Sequence, residues 1–389
     1  MEQWKQYNIG EICDTISETY KGNASDVVLI NTSDVLEGKC LNHTFVANKN
    51  LRGQFKKQFK KNDILYSEIR PANKRYAFID FESTDYIAST KLMVIRSNDK
   101  VLPKYLYYVL QSKEMVEVLQ MLAESRSGTF PQITFSELAI QTILLPEIRE
   151  QSKIVDFLES IDSKIALNRR INDNLEQQAQ ALFDYYFSAD SKYLSDSERG
   201  VLTNIAVYLN GLAMQKFPPT DSEHSLPVLK IKELGQGKCD NNSDRCSNDI
   251  DSNYVIDNGN IIFSWSGTLM VDVWCGGKCG LNQHLFKVTP LQDHPQWFIY
   301  YWTIRHLNTF KLIAKDKAVT MGHIKRVDLE KAEVIIPNKY SLVEMNAQIE
   351  PLYQSIINNR LQIAELETLR DALLPKLMSG ELKINNLNC

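Results

Sequence analysis

The chain repeats itself. A shift of 191 positions carries Pro146 onto Pro337, Thr129 onto Thr320, Ile133 onto Ile324 and Leu138 onto Leu329. The same shift lays Leu144-Leu145-Pro146 on Ile335-Ile336-Pro337, Ile165 on Ile356, Asn168-Arg169 on Asn359-Arg360 and Leu175-Glu176 on Leu366-Glu367. Upstream the offset grows by a few residues, as insertions require. Pro103-x-Tyr105 meets Pro295-x-Trp297, Asp63-Ile-Leu-Tyr-Ser67 meets Asn260-Ile-Ile-Phe-Ser264, and Gly38-Lys39-Cys40 meets Gly237-Lys238-Cys239. A unit of nearly half the 389 residues is a duplicated domain and not a solenoid array. Two like units in one chain can form a pseudo-two-fold object. Such an object suits a ligand that is itself roughly two-fold, of which duplex DNA is the commonest.

Each copy has two textures. The first part is mixed. Val27–Ile30, Asp63–Ser67, Tyr76–Phe81, Lys91–Arg96 and Ile140–Leu145 read as short strands rich in aromatic and β-branched residues. Pro103–Leu122 reads as one helix with an apolar side. The second copy gives the same order, with strands at 228–231, 261–264, 285–288 and 332–336 and a helix from about Pro295. The second part has no Gly or Pro from Glu150 to Phe187. There Ile154, Leu158, Ile161, Ile165, Asn168, Asn172, Leu175, Ala179, Leu182 and Tyr186 step alternately by four and three, a heptad seam. Its copy is Met345, Ile349, Leu352, Ile356, Asn359, Ile363, Leu366, Arg370, Leu373 and Leu377. At 1.5 Å per residue each helix would run roughly 50–60 Å. An apolar stripe of that length must be covered, so the two are expected to pair antiparallel within the chain. Asn168 and Asn359 take matching seam positions, where a buried Asn fixes register and an edge Asn is merely solvated; the pattern leaves both open. Pro351 has no counterpart in the first copy, which has Ser160, and should kink the second helix or mark its start.

The expected fold class is therefore α+β, with two similar domains separated by two long helices that form an antiparallel coiled coil, pseudo-two-fold overall. The expected boundaries are 1–146 and 191–337 for the domains, 147–190 and 338–384 for the helices, and 385–389 for a tail. No run is long and apolar enough to cross a bilayer, and Met1–Tyr7 has no apolar stretch of signal type, so a cytoplasmic address and no membrane contact are expected. Seven cysteines without an export signal point to reduced thiols. Cys239, Cys246, Cys275 and Cys279, with His284 nearby, lack the tight spacing of structural zinc sites. Free thiols are the expectation, zinc the weaker alternative, and no metal is assigned.

The net charge of −4 does not advertise a polyanionic partner. Lys49, Arg52, Lys56, Lys57, Lys60 and Lys61, however, occur with no acid between Lys49 and Lys61. Such a run is a solvated face or a phosphate contact, depending on its surroundings.

With the repeat and its helices in view, two segments carry a family resemblance. The first is Gly128-Thr-Phe-Pro-Gln-Ile133 with Leu138, Ile143-Leu-Leu-Pro146 and Glu150-Gln151. The second is Leu369-Arg-Asp-x-Leu-Leu-Pro-Lys-Leu-Met-Ser-Gly-Glu-Leu382. Over essentially its full length the chain resembles the specificity subunit of Type I restriction–modification systems. The resemblance implies two target-recognition domains, each reading one half of a split DNA sequence, with the helices setting the unread gap and docking modification subunits, two of them. Those subunits would carry adenine-N6 methylation with S-adenosylmethionine. Restriction subunits would carry ATP- and Mg2+-dependent translocation and cleavage, leaving this chain with no cofactor of its own. The second copy departs at the junction, where Val319-Thr-Met-Gly-His-Ile324 stands for Gly128–Ile133 and Asn338-Lys-Tyr-Ser341 replaces the Glu-Gln.

Nothing in the sequence supplies chemistry. Phe217-Pro-Pro-Thr220 lacks the polar head and aromatic tail of a base-holding methyltransferase motif. There is no Gly-rich cofactor turn and no Gly-x-x-x-x-Gly-Lys-Ser/Thr loop. No catalytic residue is assigned. For reading DNA, the Lys49–Lys61 run is the phosphate candidate in the first domain. Arg70, Asn73, Lys74 and Arg75, in a turn after a strand, offer bidentate donors for guanine and an amide for adenine, or else form an ordinary polar tip. Arg126, Ser127, Thr129 and Gln132 make a second loop. In the second domain the candidates are Ser266 and Thr268, Gln283 (with His284), and Lys315, Lys317, Thr320 and His323. A two-domain protein–protein adaptor without sequence readout is the alternative. A basic concave face favours DNA and a neutral apolar cleft favours the adaptor.

Overall fold

The duplication survives as topology. The computed structural model describes residues 4–384 except Asn50, Arg52, Asp293 and residues 317–321. The chain divides into two compact units, Met1–Ser163 with Glu367–Cys389, and Lys164–Leu366. No helix is long and apolar enough to cross a membrane among the described residues.

In the first unit an antiparallel sheet runs in the order Cys13–Ile16, Leu92–Ser97, Ile64–Ser67, Tyr76–Phe78. A second sheet runs Phe45–Ala47, Asp26–Ile30, Tyr86–Ser89, Phe55–Gln58, with Asp26–Ile30 and Tyr86–Ser89 parallel. Strand alternation builds two cores from one sheet. Leu65, Leu92 and Val94 face Val28, Ile30 and Ala88 of the second sheet. Ile64, Tyr66, Met93 and Ile95 face the helices. A two-stranded ribbon, Lys5–Asn8 against Thr142–Leu145, joins the ends of the domain.

The second unit repeats both sheets and the closing ribbon, while the small first-unit pair Val35–Leu36 with Lys39–Cys40 gives way to the short helix Ile231–Gln236. Ala206–Asn210, Leu285–Pro290, Ile261–Ser264 and Met270–Val273 form one sheet. Arg245–Ser247, Ser225–Leu229, Cys279–Leu281 and Val255–Ile256 form the other, with its single parallel pair in the same place. Glu198–Val201 against Glu333–Ile336 closes it. Phe263 and Val288 face the helices while Ile262 and Leu285 face the second sheet, the same alternation.

Two long helices, Ile148–Tyr186 and Lys339–Met378, each contribute to both units. Within the first unit Ile154 and Leu158 share a core with Leu374 and Leu377, and Arg370 reaches Asp162 at 2.9 Å. Within the second, Asn168 Nδ2 donates to Gln362 Oε1 at 2.7 Å, Asn359 Nδ2 to Asn172 Oδ1 at 2.9 Å, and Asn172 Nδ2 to the Ile356 carbonyl at 3.2 Å. Partner numbers fall as the first helix rises, so in each unit the helix segments run antiparallel.

Buried Asn168 and Asn172 thus each have an amide partner on the facing helix. That is how polar seam residues select one register over its neighbours. Asn168 and Asn359 do not meet one another: antiparallel pairing offsets them, and Asn172 takes Asn359. Ile154, Leu158, Ile161, Ile165, Ile349 and Ile356 are buried, whereas Leu175, Leu352, Asn359, Ile363 and Leu366 are half-buried.

Two expectations are corrected. The helix runs through Pro351 from Lys339, so Pro351 marks no start, and the Pro351 carbonyl takes the Ser355 hydroxyl at 2.7 Å. The single helix expected over 103–122 is two, Pro103–Gln111 and Lys113–Arg126, broken at Ser112, whose extended backbone (ψ 146°) lets its side chain cap the second. The second copy keeps one helix there, Gln296–Asp316.

One buried ion pair belongs to the first unit alone. Asp63 is 1 % exposed and accepts Arg96 Nε and Nη2, both at 2.8 Å, and the Lys60 amide at 2.8 Å. The Asp63 carboxylate in turn holds the Arg96 pKa above its usual value, against the cost of burial. Asn260 and Thr289 take the matching places in the second copy. Arg96→Thr strands a buried carboxylate and should cost about 3 kcal/mol, the low end for a broken buried pair because Arg96 keeps some water. Adding Asp63→Asn should recover more than half of that loss, read from guanidinium unfolding midpoints. Equal loss in the single and double variants would contradict the assignment.

Candidate nucleic-acid interface

The candidate residues of the first domain separate into two groups. Lys49 is exposed beyond the edge strand Phe45–Ala47, and Lys60 and Lys61 are exposed, Lys61 lying 3.8 Å from Glu82. Strand alternation points Lys56 outward but turns Lys57 inward, where its Nζ donates to the Leu92 carbonyl at 2.7 Å. Burial pulls the Lys57 pKa below its ordinary value, Glu68 opposing and Lys91 reinforcing. The basic run therefore does not present one continuous face. Arg52 lies outside the described residues.

The two candidate loops are brought together. Ile64–Ser67 leads into a tip that ends at Tyr76, and that tip meets the segment Thr129–Ile133. Ile69 bridges Gln132, the Arg70 amide donates to the Pro131 carbonyl at 3.1 Å, and the Ile133 amide donates to the Glu68 carbonyl at 2.9 Å. Lys91 Nζ donates to Gln132 Oε1 at 3.1 Å and lies 3.7 Å from Glu68. Within the tip the cations divide. Arg75 Nη1 is committed to the Ser33 and Val35 carbonyls, and Lys74 is paired with Glu37 at 3.4 Å. Arg70 and Asn73 are exposed. Among the described residues the Arg70 guanidinium donates to the Thr129 carbonyl, at 3.4 Å. Arg126 pairs with Glu137, and the Ser127 hydroxyl accepts the Phe130 amide. Phe130, exposed between Thr129 and Pro131, belongs to this surface and was not singled out from the sequence.

Arg70 has φ 44°, the left-handed region that a non-Gly residue enters at a cost of roughly 1–2 kcal/mol. Its counterpart is Gly267, φ 63°, whose amide makes the matching bond to the Gly322 carbonyl at 3.2 Å. The second domain rebuilds the whole loop pair. Ser266 bridges His323, the Trp265 amide donates to the His284 carbonyl at 3.4 Å as Glu68 does to Lys91, and the Ile324 amide donates to the Trp265 carbonyl at 3.1 Å. On this shared scaffold Glu68, Lys91 and Gln132 become Trp265, His284 and His323.

Ser266 is buried, its hydroxyl 3.0 Å from His284 Nδ1, while Thr268 is exposed. Gln283 Nε2 lies 3.4 Å from His284 Nε2, and Lys315 is exposed at the end of its helix. Lys317 and Thr320 fall outside the described residues. The sequence reading missed Trp265.

The cysteines do not gather into one site. Cys239 and Cys279 pack in one core with Trp274, Cys246 packs with Met214 and Val228, and burial raises the Cys246 and Cys275 thiols. Among the described residues no three His, Cys, Asp or Glu side chains are placed to hold a metal.

Two copies of one α+β domain, each ending in a long helix and each exposing the same loop pair with different side chains, define a class of protein that recognises two unlike features with one scaffold. The family described as Type I restriction modification DNA specificity domain matches residues 1–177 and again 196–368. The HindI specificity subunit of Haemophilus influenzae is 31% identical, covering 98% of this chain and all of that protein. The MjaIX specificity subunit of Methanocaldococcus jannaschii is 27% identical over 74% of this chain and 71% of its own length. A solved Type I restriction–modification S subunit from M. genitalium shares the fold at TM-score 0.56 and 15% identity, covering 97% of this chain and 96% of that one. The chain belongs to the Type I restriction–modification DNA specificity family. That membership makes it a specificity component, whose task is recognition of a DNA target and not catalysis.

Proposed function

We propose that each mixed domain reads one half of a split DNA sequence, that the paired helices hold the halves a fixed distance apart, and that the assembly includes two modification subunits and restriction subunits. S-adenosylmethionine, ATP and Mg2+ belong to those partners. One observation carries this reading: the same loop pair presents Glu68, Arg70, Lys91 and Gln132 in one copy and, at the matching places, Trp265, Gly267, His284 and His323 in the other. A conserved frame with exchanged tips is what two different half-sites require, because base edges are told apart by the donors and acceptors facing them. Lys49, Lys56, Lys60 and Lys61 fit contacts to phosphate, which position the domain without choosing sequence.

The test is methylated-adenine mapping in cells that express this chain with its modification subunit. A split motif with a fixed gap is expected, and it should vanish when this chain is deleted. A motif that persists without the chain removes it from sequence choice and favours the adaptor.

A further inference from the structure

The second domain has a cleft beside its recognition loops. Where Glu68, Lys91 and Gln132 interlock in the first copy, Trp265, His284 and His323 stand beside a cavity of about 950 Å³ in the second. That is within the roughly 300–1,000 Å³ usual for small-ligand clefts.

Trp265 is at the centre of the aromatic wall. Its ring centroid lies 5.8 Å from Phe286, 6.0 Å from His284 and 6.2 Å from His323. Trp265 Nε1 donates to Asn210 Oδ1 at 2.9 Å, which fixes the ring while leaving it half-exposed. The exposed cations Lys325 and Arg326 line the same space, Arg326 lying 3.6 Å from Glu330. Fixed aromatic faces accept a flat ring at little entropic cost, and nearby cations suit an attached phosphate. The cavity is lined by Ser266 and His323, the bridge that joins the two recognition loops.

We infer that this cleft binds a single nucleobase with its phosphate, stacked against Trp265. The inference rests on the reading of this loop pair as a DNA-recognition surface. The base comes either from bound DNA, swung out of the helix, or from a free nucleotide. A duplex carrying an extrahelical base at this point would lose stacking and pairing locally and regain stacking on the protein.

The test has two arms. In the first, the full chain without DNA is titrated with dAMP, dTMP, dGMP and dCMP and followed by saturation-transfer NMR on the base protons. Saturable transfer at millimolar nucleotide is expected for at least one base. Trp265→Leu should weaken it roughly five-fold or more, as loss of one stacked ring does, and Trp265→Phe should keep most of it. Because Trp265→Leu could disturb the fold, His323→Ala is measured beside it, with a thermal melt for each. Transfer that is absent for every nucleotide, or unchanged in both Trp265→Leu and His323→Ala, overturns the inference while leaving the methylation-mapping result untouched.

The second arm uses the assembled modification complex on its mapped target, with 2-aminopurine placed in turn at each position of the half-site that follows the second domain. A fluorescence rise at one position that disappears in Trp265→Leu identifies a base of the DNA. Nucleotide binding in the first arm with no Trp265-dependent rise identifies a free nucleotide.

Discussion

Arg70→Gly should leave the protein as stable as before, or more stable by up to about 1 kcal/mol, and yet relax selection at a base of one half of the methylated sequence. The two halves of that expectation come from separate observations. Arg70 sits at φ 44°, and the second copy uses Gly267 at the matching place with φ 63° and the same amide-to-carbonyl bond. The backbone there asks for glycine, so the arginine is held against its preference, and strain of this kind clusters at functional positions. The side chain does little for the fold: it is exposed, and its guanidinium reaches one carbonyl at 3.4 Å. Its neighbours Lys74 and Arg75 are tied to Glu37, Ser33 and Val35, so Arg70 is the cation of the tip that remains available for a base edge. A bidentate arginine–guanine contact discriminates by about 1–3 kcal/mol, or roughly five- to 150-fold in preference. Methylation mapping of the variant should therefore show one degenerate half-site beside an intact one. An unchanged motif in a fully folded variant would remove Arg70 from base readout.

Much of the architecture was legible because duplication multiplies weak signals. A single short apolar run such as Ile64–Ser67 is ambiguous, but the same run at Ile261–Ser264, in the same order among the same neighbours, is not. The first long helix was legible because nothing interrupts the period: a helix over 147–190 was expected, and the one found, Ile148–Tyr186, ends four residues earlier. The second seam is less regular. Arg370 occupies a seam position yet pairs with Asp162 and Asp371, and several of its apolar positions are only half-buried. The break at Ser112 was missed because its apolar flanks keep helical spacing on both sides, while the cap that ends one helix and begins the next is a backbone event.

The recognition surface was only partly legible, and for a different reason. Periodicity says which face a residue occupies on its own element, not which distant residue it meets. Trp265, His284 and His323 come from three separate segments and meet only because two strands and a loop bridge are in register. The sequence did hold the signal. Once Ser67 is aligned with Ser264 and Leu92 with Leu285, the columns Glu68/Trp265, Lys91/His284 and Gln132/His323 stand out as a charged cluster exchanged for an aromatic one. The basic run at Lys49–Lys61 was overread for the opposite reason. A strand at Phe55–Gln58 splits adjacent lysines onto opposite sides, and Lys57 is spent on the Leu92 carbonyl.

One heptad added to each long helix should lengthen the gap in the methylated motif by about three base pairs and abolish methylation of the original motif. Seven residues add about 10 Å of helix, and base pairs stack at roughly 3.4 Å. The insertions belong between Ser163 and Asn168 in the first helix and between Gln362 and Glu367 in the second. There they leave Asp162–Arg370 intact in one unit and Asn168–Gln362 and Asn172–Asn359 intact in the other. A whole heptad keeps the seam in phase, so both units retain their own packing. Three base pairs also turn the duplex by roughly 100°, given about 10.5 base pairs per turn, so the new motif should be methylated more slowly than the old one. Adding the heptad to one helix alone is the control. It pulls the facing positions out of register and exposes buried Asn168 and Asn172 without their partners, and that variant should lose stability and methylation together. If the double insertion keeps both half-sites and the original gap, the helices do not set the spacing. If it keeps both half-sites and moves them apart by three, the distance between them is written in the length of the helices.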